Sequence, residues 1–429
     1  MSDIPAITTE HLKKRIDSSN IQLIDTRDTD SYNGWRLNGE KRGGHIPGAR
    51  SFPHKWLEYL DWPDLLHEKQ LDPGRETVIY GSSNASCQEL AEGLRLLGFS
   101  KIKTYADFIG EWCETDSLPL ETLSRFRQLV PPAWLDTLLK TGSAFEYNND
   151  KYVLCHAHYQ NRDAYDQGHI PGAIEIDTNL LESQETWNRR TPEELLKALL
   201  DHGITKETTV VLYGRFSSPS MKDPFPGSSA GHLGAMRAAF LMLYAGVEDV
   251  RILNGGLYAW EQSGLKVSVK ETRKQPATDF GVNIPARPDL VIDTPEAKDY
   301  IARDDANLVS IRSWAEFIGE VSGYHYIKPK GRIPGAVFGN CGTDAYHMEN
   351  YRNGDHTIRE FHEVQQIWAE AGITPDKRNA FYCGTGWRGS EAFMNAWLMG
   401  WSKVAVYDGG WYEWSNDPKN QIETGIPGK

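Results

Sequence analysis

No window of this 429-residue chain approaches the roughly 18 consecutive apolar residues that a membrane helix needs, so no membrane partner is expected and the protein reads as soluble. The opening Met1-Ser2-Asp3-Ile4-Pro5-Ala6-Ile7 has neither a basic n-region nor an apolar h-region. The cytoplasm is therefore the expected compartment, or the periplasm had a leader been removed. Positive charge is also short: Lys and Arg number 46 against 59 Asp and Glu, and a net charge of -13 gives no basic face for nucleic acid. Cysteine is scarce and odd in number, with no C-x-x-C pair among Cys87, Cys113, Cys155, Cys341 and Cys383, which excludes a disulfide framework or a zinc ribbon. His156 and His158 form an isolated His-x-His with no further ligand in sequence, so no metal is expected.

What the chain has is repetition. Gly44-His45-Ile46-Pro47-Gly48-Ala49 recurs as Gly168-His169-Ile170-Pro171-Gly172-Ala173 and as Gly331-Arg332-Ile333-Pro334-Gly335-Ala336. The spacing is far longer than that of solenoid repeats, so each box marks a whole domain. An apolar strand precedes each box (Ile21 to Ile24, Lys151 to Leu154, Asn307 to Ser310). A β-branched or apolar strand ending in tyrosine follows it (Thr77 to Tyr80, Thr209 to Tyr213, Asn379 to Tyr382). Each of these runs into a small-residue loop and a helix, and each copy closes on a last strand (Ile102 to Tyr105, Val250 to Leu253, Val404 to Tyr407). Strands alternating with helices predict an α/β fold of three tandem domains, each an open parallel sheet flanked by helices, with the working loop at the strands' carboxyl ends. Segments Glu114 to Gln128 and Lys270 to Pro288 separate the copies and set expected domains at 1–125, 126–270 and 288–429.

In the third copy the loop reads Cys383-Gly384-Thr385-Gly386-Trp387-Arg388-Gly389-Ser390. A loop passing from a buried strand into a helix gathers N–H groups and partial positive charge, which stabilises an anion and lowers a thiol's pKa. Gly384 and Gly386 allow the backbone to turn those groups inward. In the other copies Gly81 and Gly214 stand where the thiol would be, the latter opening a serine-, proline- and glycine-rich insertion from Ser217 to Gly231. Cys87, Cys113, Cys155 and Cys341 read as packed core thiols, and His45 and His169 as turn-stabilising groups.

The glycine-proline box followed by strand, Cys and helix resembles the rhodanese family over nearly the whole chain. The third copy, with Asp408-Gly409-Gly410-Trp411-Tyr412-Glu413-Trp414 behind its loop, resembles in particular the bacterial three-domain thiosulfate sulfurtransferases. The resemblance implies a two-step transfer without cofactor. Cys383 takes the outer sulfur of a small anionic donor as a persulfide and yields it to a thiol, cyanide or protein acceptor. Arg388 is expected as a catalytic cation at the rim. Gly384, Thr385, Gly386, Trp387 and Gly389 are expected to line the substrate, and Arg312, Lys328, Lys330 and Arg332 to draw the donor to the mouth. Trp387, Trp411 and Trp414 would form an apolar wall. A related phosphatase is disfavoured by loop length, since the Cys383–Arg388 spacing is Cys-x4-Arg rather than the Cys-x5-Arg that phosphate needs. A 3-mercaptopyruvate enzyme and a non-turnover sulfur carrier are the alternatives.

Overall fold

β-Branched and aromatic runs form the sheets. In the computed structural model, which describes residues 4–16, 18, 20–216 and 231–428, the first four strands are β1 (Ile21–Asp25), β2 (Ala49–Ser51), β3 (Glu76–Tyr80) and β4 (Ile102–Tyr105), parallel in the order β2-β1-β3-β4. They belong to a compact unit spanning Met1–Phe126. Leu23 and Val78 point into one apolar layer with Leu12, Phe108 and Trp112, while Ile24 and Ile79 point into another with Leu90, Leu94 and Phe99. Burial on both faces is what a parallel sheet requires of its strands.

The second compact unit, Arg127–Lys429, holds two such sheets. One contains β5 (Leu129–Val130), β6 (Tyr152–His158), β7 (Ile174–Asp177), β8 (Thr209–Gly214) and β9 (Asp249–Leu253) in the order β5-β9-β8-β6-β7. The other contains β10 (Val291–Ile292), β11 (Ala306–Ser310), β12 (Val337–Phe338), β13 (Arg378–Tyr382) and β14 (Val404–Tyr407) in the equivalent order β10-β14-β13-β11-β12. From Glu271 to Arg287 the chain forms neither helix nor strand. The insertion at 217–230 lies outside the described residues.

Each glycine-proline box is the tight turn that launches a short strand, β2, β7 or β12, alongside β1, β6 or β11. Gly48, Gly172 and Gly335 take φ of +79°, +85° and +77°, where a side chain would be strained. His45 and His169 each stack on a preceding tyrosine, Tyr32 or Tyr165, and reach its carbonyl oxygen through Nδ1.

The two sheets of the larger unit join through helices Gly231–Ala245 and Trp387–Leu398, with Phe240 edge-on to Phe393 at 4.9 Å. The first of these helices is buried along its whole length, as a helix apolar on every face demands. Across the same seam each copy extends a finger into the other. Residues 182–189 close on a Glu182–Arg189 bridge with Trp187 at φ +62°, and residues 352–358 close on an Arg352–Ile358 bridge with His356 at φ +63°. Trp187 stacks on Tyr326 at 5.5 Å, while His356 stacks on Phe216 at 4.0 Å, just beyond Gly214. The Ile358 amide donates to Asn254 Oδ1 at 2.8 Å.

Candidate active site

β13 is the middle strand of its sheet, and its last residue, Tyr382, passes the chain to Cys383. Four residues later the helix Trp387–Leu398 begins, with Gly386 as its N-cap at φ +91°. The loop is braced from behind by the helix Gly410–Asn416: the Trp411 amide donates to the Cys383 carbonyl at 2.8 Å and the Tyr412 amide to that of Gly384 at 2.9 Å. A Cβ on Gly410 would stand 2.8 Å from the Cys383 oxygen, so the brace needs glycine there. N–H and C=O of a trans peptide point opposite ways, so carbonyls turned toward the brace leave the loop's amides facing away from it, with the helix N-terminus beside them. Cys383 is buried at the base of this turn. The other thiols are pushed up by burial, Cys87 and Cys341 to about 11 and Cys113 and Cys155 to about 12, which keeps them protonated and inert near neutral pH.

Gly384 and Thr385 meet the segment Ser322–Lys330, but through its tyrosines. The Tyr324 ring lies so close over Gly384 that an added Cβ would stand 2.2 Å from Cε2, and Thr385 reaches the Tyr326 phenol. Burial, with the nearby Cys383 sulfur adding to it, holds both phenols protonated. Tyr324 and Tyr326 stack at 5.2 Å, Tyr346 stands edge-on to Tyr324, and Tyr412 closes the same side. From the second copy come Trp187 and Tyr159, the latter edge-on to Trp387 at 5.6 Å. These rings were missed in the sequence because the lysines of Ser322–Lys330, not its Tyr-x-Tyr, looked like the ligand-bearing groups.

The expected cations stand elsewhere. Arg388 is not at the rim: the helix starts at Trp387, so Arg388 falls on its first turn and points inward, fully buried, with both Nη atoms 2.9 Å from the Glu316 carboxylate and Nη1 3.3 Å from Cys341 Sγ. Its guanidinium lies over the Tyr324 ring at 5.4 Å, so it braces the ring that covers the loop. Arg312 is equally buried, donating to the Gly331 carbonyl and pairing with Glu316. These two cations hold the Glu316 carboxyl at about 2 against the cost of burial. Arg332 donates to the Gly425 carbonyl and pairs with Glu423. Lys328 and Lys330 are exposed and donate to the carbonyls of His325 and Glu320. The two arginines expected at the mouth are thus taken up by their own surroundings, since a buried guanidinium needs a carboxylate and carbonyls to replace water, while the two lysines stay in solvent with one N–H each on a backbone carbonyl.

Three further placements differ from expectation. Gly389 seats the helix on β13, where a Cβ would come 3.1 Å from the Phe381 oxygen. Trp411 and Trp414 belong to the domain core. Trp387 turns its Nε1 toward the second copy and donates to Glu182 at 2.7 Å. At the thiol-less positions the room itself is gone. A Cβ on Gly81 would stand 2.0 Å from Thr26 Oγ1, and one on Gly214 1.9 Å from the Gly231 carbonyl oxygen.

Three parallel sheets of one pattern, each with a strand-to-helix loop at its carboxyl end, define a tandem sulfur-transfer fold. The family model described as "Rhodanese-like domain" matches residues 8–115, 157–263 and 293–417, and the chain belongs to that family. Over 420 residues it is 40% identical to "Thiosulfate sulfurtransferase YnjE" of Escherichia coli (strain K12), covering 96% of this chain and 91% of that protein. It is 28% identical over 262 residues to "Sulfur carrier protein TtuD" of Thermus thermophilus, covering 59% of this chain and 84% of that one. Among solved structures, a variant of EanB in complex with ergothioneine superposes with a TM-score of 0.96 at 53% identity, covering 99% of this chain and 100% of that one. Another EanB structure holds a cysteine persulfide with ergothioneine in a tetrahedral intermediate state, at TM-score 0.95 and 54% identity, covering 98% and 100% of the two chains. Among the described residues no helix is long and apolar enough to cross a membrane.

Proposed function

We propose that this sulfurtransferase carries sulfane sulfur as a persulfide on Cys383 and delivers it to the imidazole of a trimethylammonium betaine of the hercynine class. The observation that carries this reading is the wall of rings over the loop, Tyr324, Tyr326 and Tyr412 from the third copy with Trp187 and Tyr159 from the second. Aromatic faces attract quaternary ammonium groups and stack on imidazole, whereas a small divalent anion is best held by cations, and the guanidiniums of Arg312, Arg332 and Arg388 are engaged elsewhere. The EanB structures lend further support: one variant binds hercynine and another ergothioneine, and the substituted tyrosine, the persulfide cysteine and the substituted threonine stand at the same spacings as Tyr324, Cys383 and Thr385.

In the loading step the Cys383 thiolate attacks the terminal sulfur of a sulfane donor such as thiosulfate or inorganic polysulfide, and the donor's S–S bond breaks. In the delivery step a bond forms between imidazole C2 and the outer sulfur, the persulfide S–S bond breaks, C2 loses its proton, and Cys383 leaves as thiolate. The carbon is oxidised and the sulfane sulfur reduced by the same two electrons, so no outside redox partner is needed. Loop N–H groups would stabilise the thiolate at both ends of the cycle. In the same reading 1–125 and 126–270 are the domains without a loop thiol, and 288–429 is the one that reacts.

The test is a side-by-side assay with hercynine, cyanide and a thiol as acceptors, each with thiosulfate, polysulfide and 3-mercaptopyruvate as donors. Conversion of hercynine to its 2-thione with kcat/KM well above the other acceptors is the expected result. Turnover of cyanide or thiol alone would return the protein to a general thiosulfate sulfurtransferase.

A further inference from the structure

The third copy's loop is completed by side chains of the second copy, which has glycine, Gly214, where the third has Cys383. Arg237, on the helix Gly231–Ala245, is fully buried and meets four separate parts of the site. Its Nε donates to Glu182 at 3.0 Å, and Nη2 donates to Asp408 at 2.6 Å and to the Trp187 carbonyl at 3.2 Å. Its Nη1 lies 3.0 Å from the place a Cβ of Gly386 would occupy. Glu182 spends its other oxygen on the Trp387 indole at 2.7 Å. Asp408, which opens the segment bracing the loop, also accepts from the Arg189 amide at 2.8 Å. One guanidinium therefore links the residue that starts the brace to the backbone of the ring that covers the mouth, and packs beside the N-cap of the loop helix.

We propose that Arg237 and Glu182 are positioning residues for the Cys383 loop, acting through Trp387 and Gly386, so that the copy without a thiol in its loop sets the geometry in which the other copy's thiol reacts. This rests on the reading of Cys383 as the persulfide carrier. The seam is polar where it meets the reactive loop. A packing contact would serve with apolar residues, whereas here a buried carboxylate is shared between one cation and one indole N–H on the reactive loop itself.

The arrangement makes loop order sensitive to pH. Burial pushes the Glu182 carboxyl up to about 7, with Arg237 and the Trp387 N–H opposing. The other groups facing it are Asp408, which is itself tied to Arg237 and Arg189, and Tyr159, whose phenol burial raises to about 12 so that it stays neutral. Below about 7 Glu182 takes a proton, its bond to Arg237 weakens, and loading of Cys383 should slow.

The experiment measures single-turnover persulfide formation on Cys383 by mass spectrometry in the full chain, with polysulfide as donor, from about pH 5.5 to 8.5, a window spanning the Glu182 titration. The unaltered protein should show a fall in rate on the acid side of about pH 7. Glu182→Gln, which keeps an acceptor for the indole but not the charge, should be slower by roughly ten- to hundredfold, as expected for a lost charge-assisted bond, and should lack that pH limb. Trp387→Phe should lose a similar factor, and the double variant should lose no more than either alone. A Glu182→Gln protein with unaltered rate and an unaltered acid limb, or single losses that multiply in the double variant, would overturn the proposal. Absence of any persulfide on Cys383 in the unaltered protein would instead remove the reading beneath it.

Discussion

At the scale of single residues, Arg388 and Cys383 separate two ways of losing function. The Arg388–Glu316 pair is closed from solvent on both sides, so removing the guanidinium leaves a buried carboxylate with only the longer contact to Arg312 to balance its charge. Arg388→Ala should destabilise the protein by about 3–5 kcal/mol, measured by urea unfolding, and should lose activity as a consequence. Cys383→Ser should abolish persulfide formation and leave unfolding unchanged. The pairing also fixes an acid limit. The folded value of the Glu316 carboxyl, about 2, lies below its ordinary value of about 4.5, so its contribution is fully present above pH 4.5 and is lost as pH falls toward 2. Its size is about 3 kcal/mol, and urea titrations at about pH 6 and pH 3 should show a drop that Glu316→Gln, already destabilised at both, does not share.

At the scale of elements, the loop's glycines divide the work. Gly384→Ala would drive a methyl group into the Tyr324 ring, which sits against Arg388 and cannot retreat freely. It should therefore raise KM for the acceptor far more than it slows loading of Cys383, a split that steady-state and single-turnover assays read separately. The elements also show what was legible in the sequence. β4 and β14 run over the residues their apolar, β-branched stretches announce, Ile102–Tyr105 and Val404–Tyr407, and β13 leads into Cys383 as the glycine-flanked thiol implied. The short strands after the boxes were not foreseen, because Ala49-Arg50-Ser51 has no strand pattern and pairs only through the turn before it. Nor were the polar partners across the seam. The Trp387–Glu182 and Arg237–Asp408 bonds join residues far apart in the chain, and such pairings leave no periodicity to read. The cations around the mouth failed for a related reason: charge shows in sequence, while the carboxylate or carbonyl that neutralises it does not.

At the scale of the whole molecule, the fingers exchanged between the second and third copies make Arg127–Lys429 one body. A fragment of residues 288–429 would lose Arg237 from buried Asp408, Glu182 from Trp387, and the Trp187 ring from the mouth. Its expected kcat/KM is at least roughly tenfold below that of residues 127–429, with a broader and earlier thermal transition. Equal activity of the two fragments would make the second copy a passenger. The blocked positions Gly81 and Gly214 bear on engineering. A cysteine at either would press a β-carbon into Thr26 in one copy and into the Gly231 backbone in the other. Grafting a second reactive thiol onto this scaffold thus takes more than one substitution: the neighbourhood must first be reopened, and the exchange of a single residue would yield strain in place of a nucleophile.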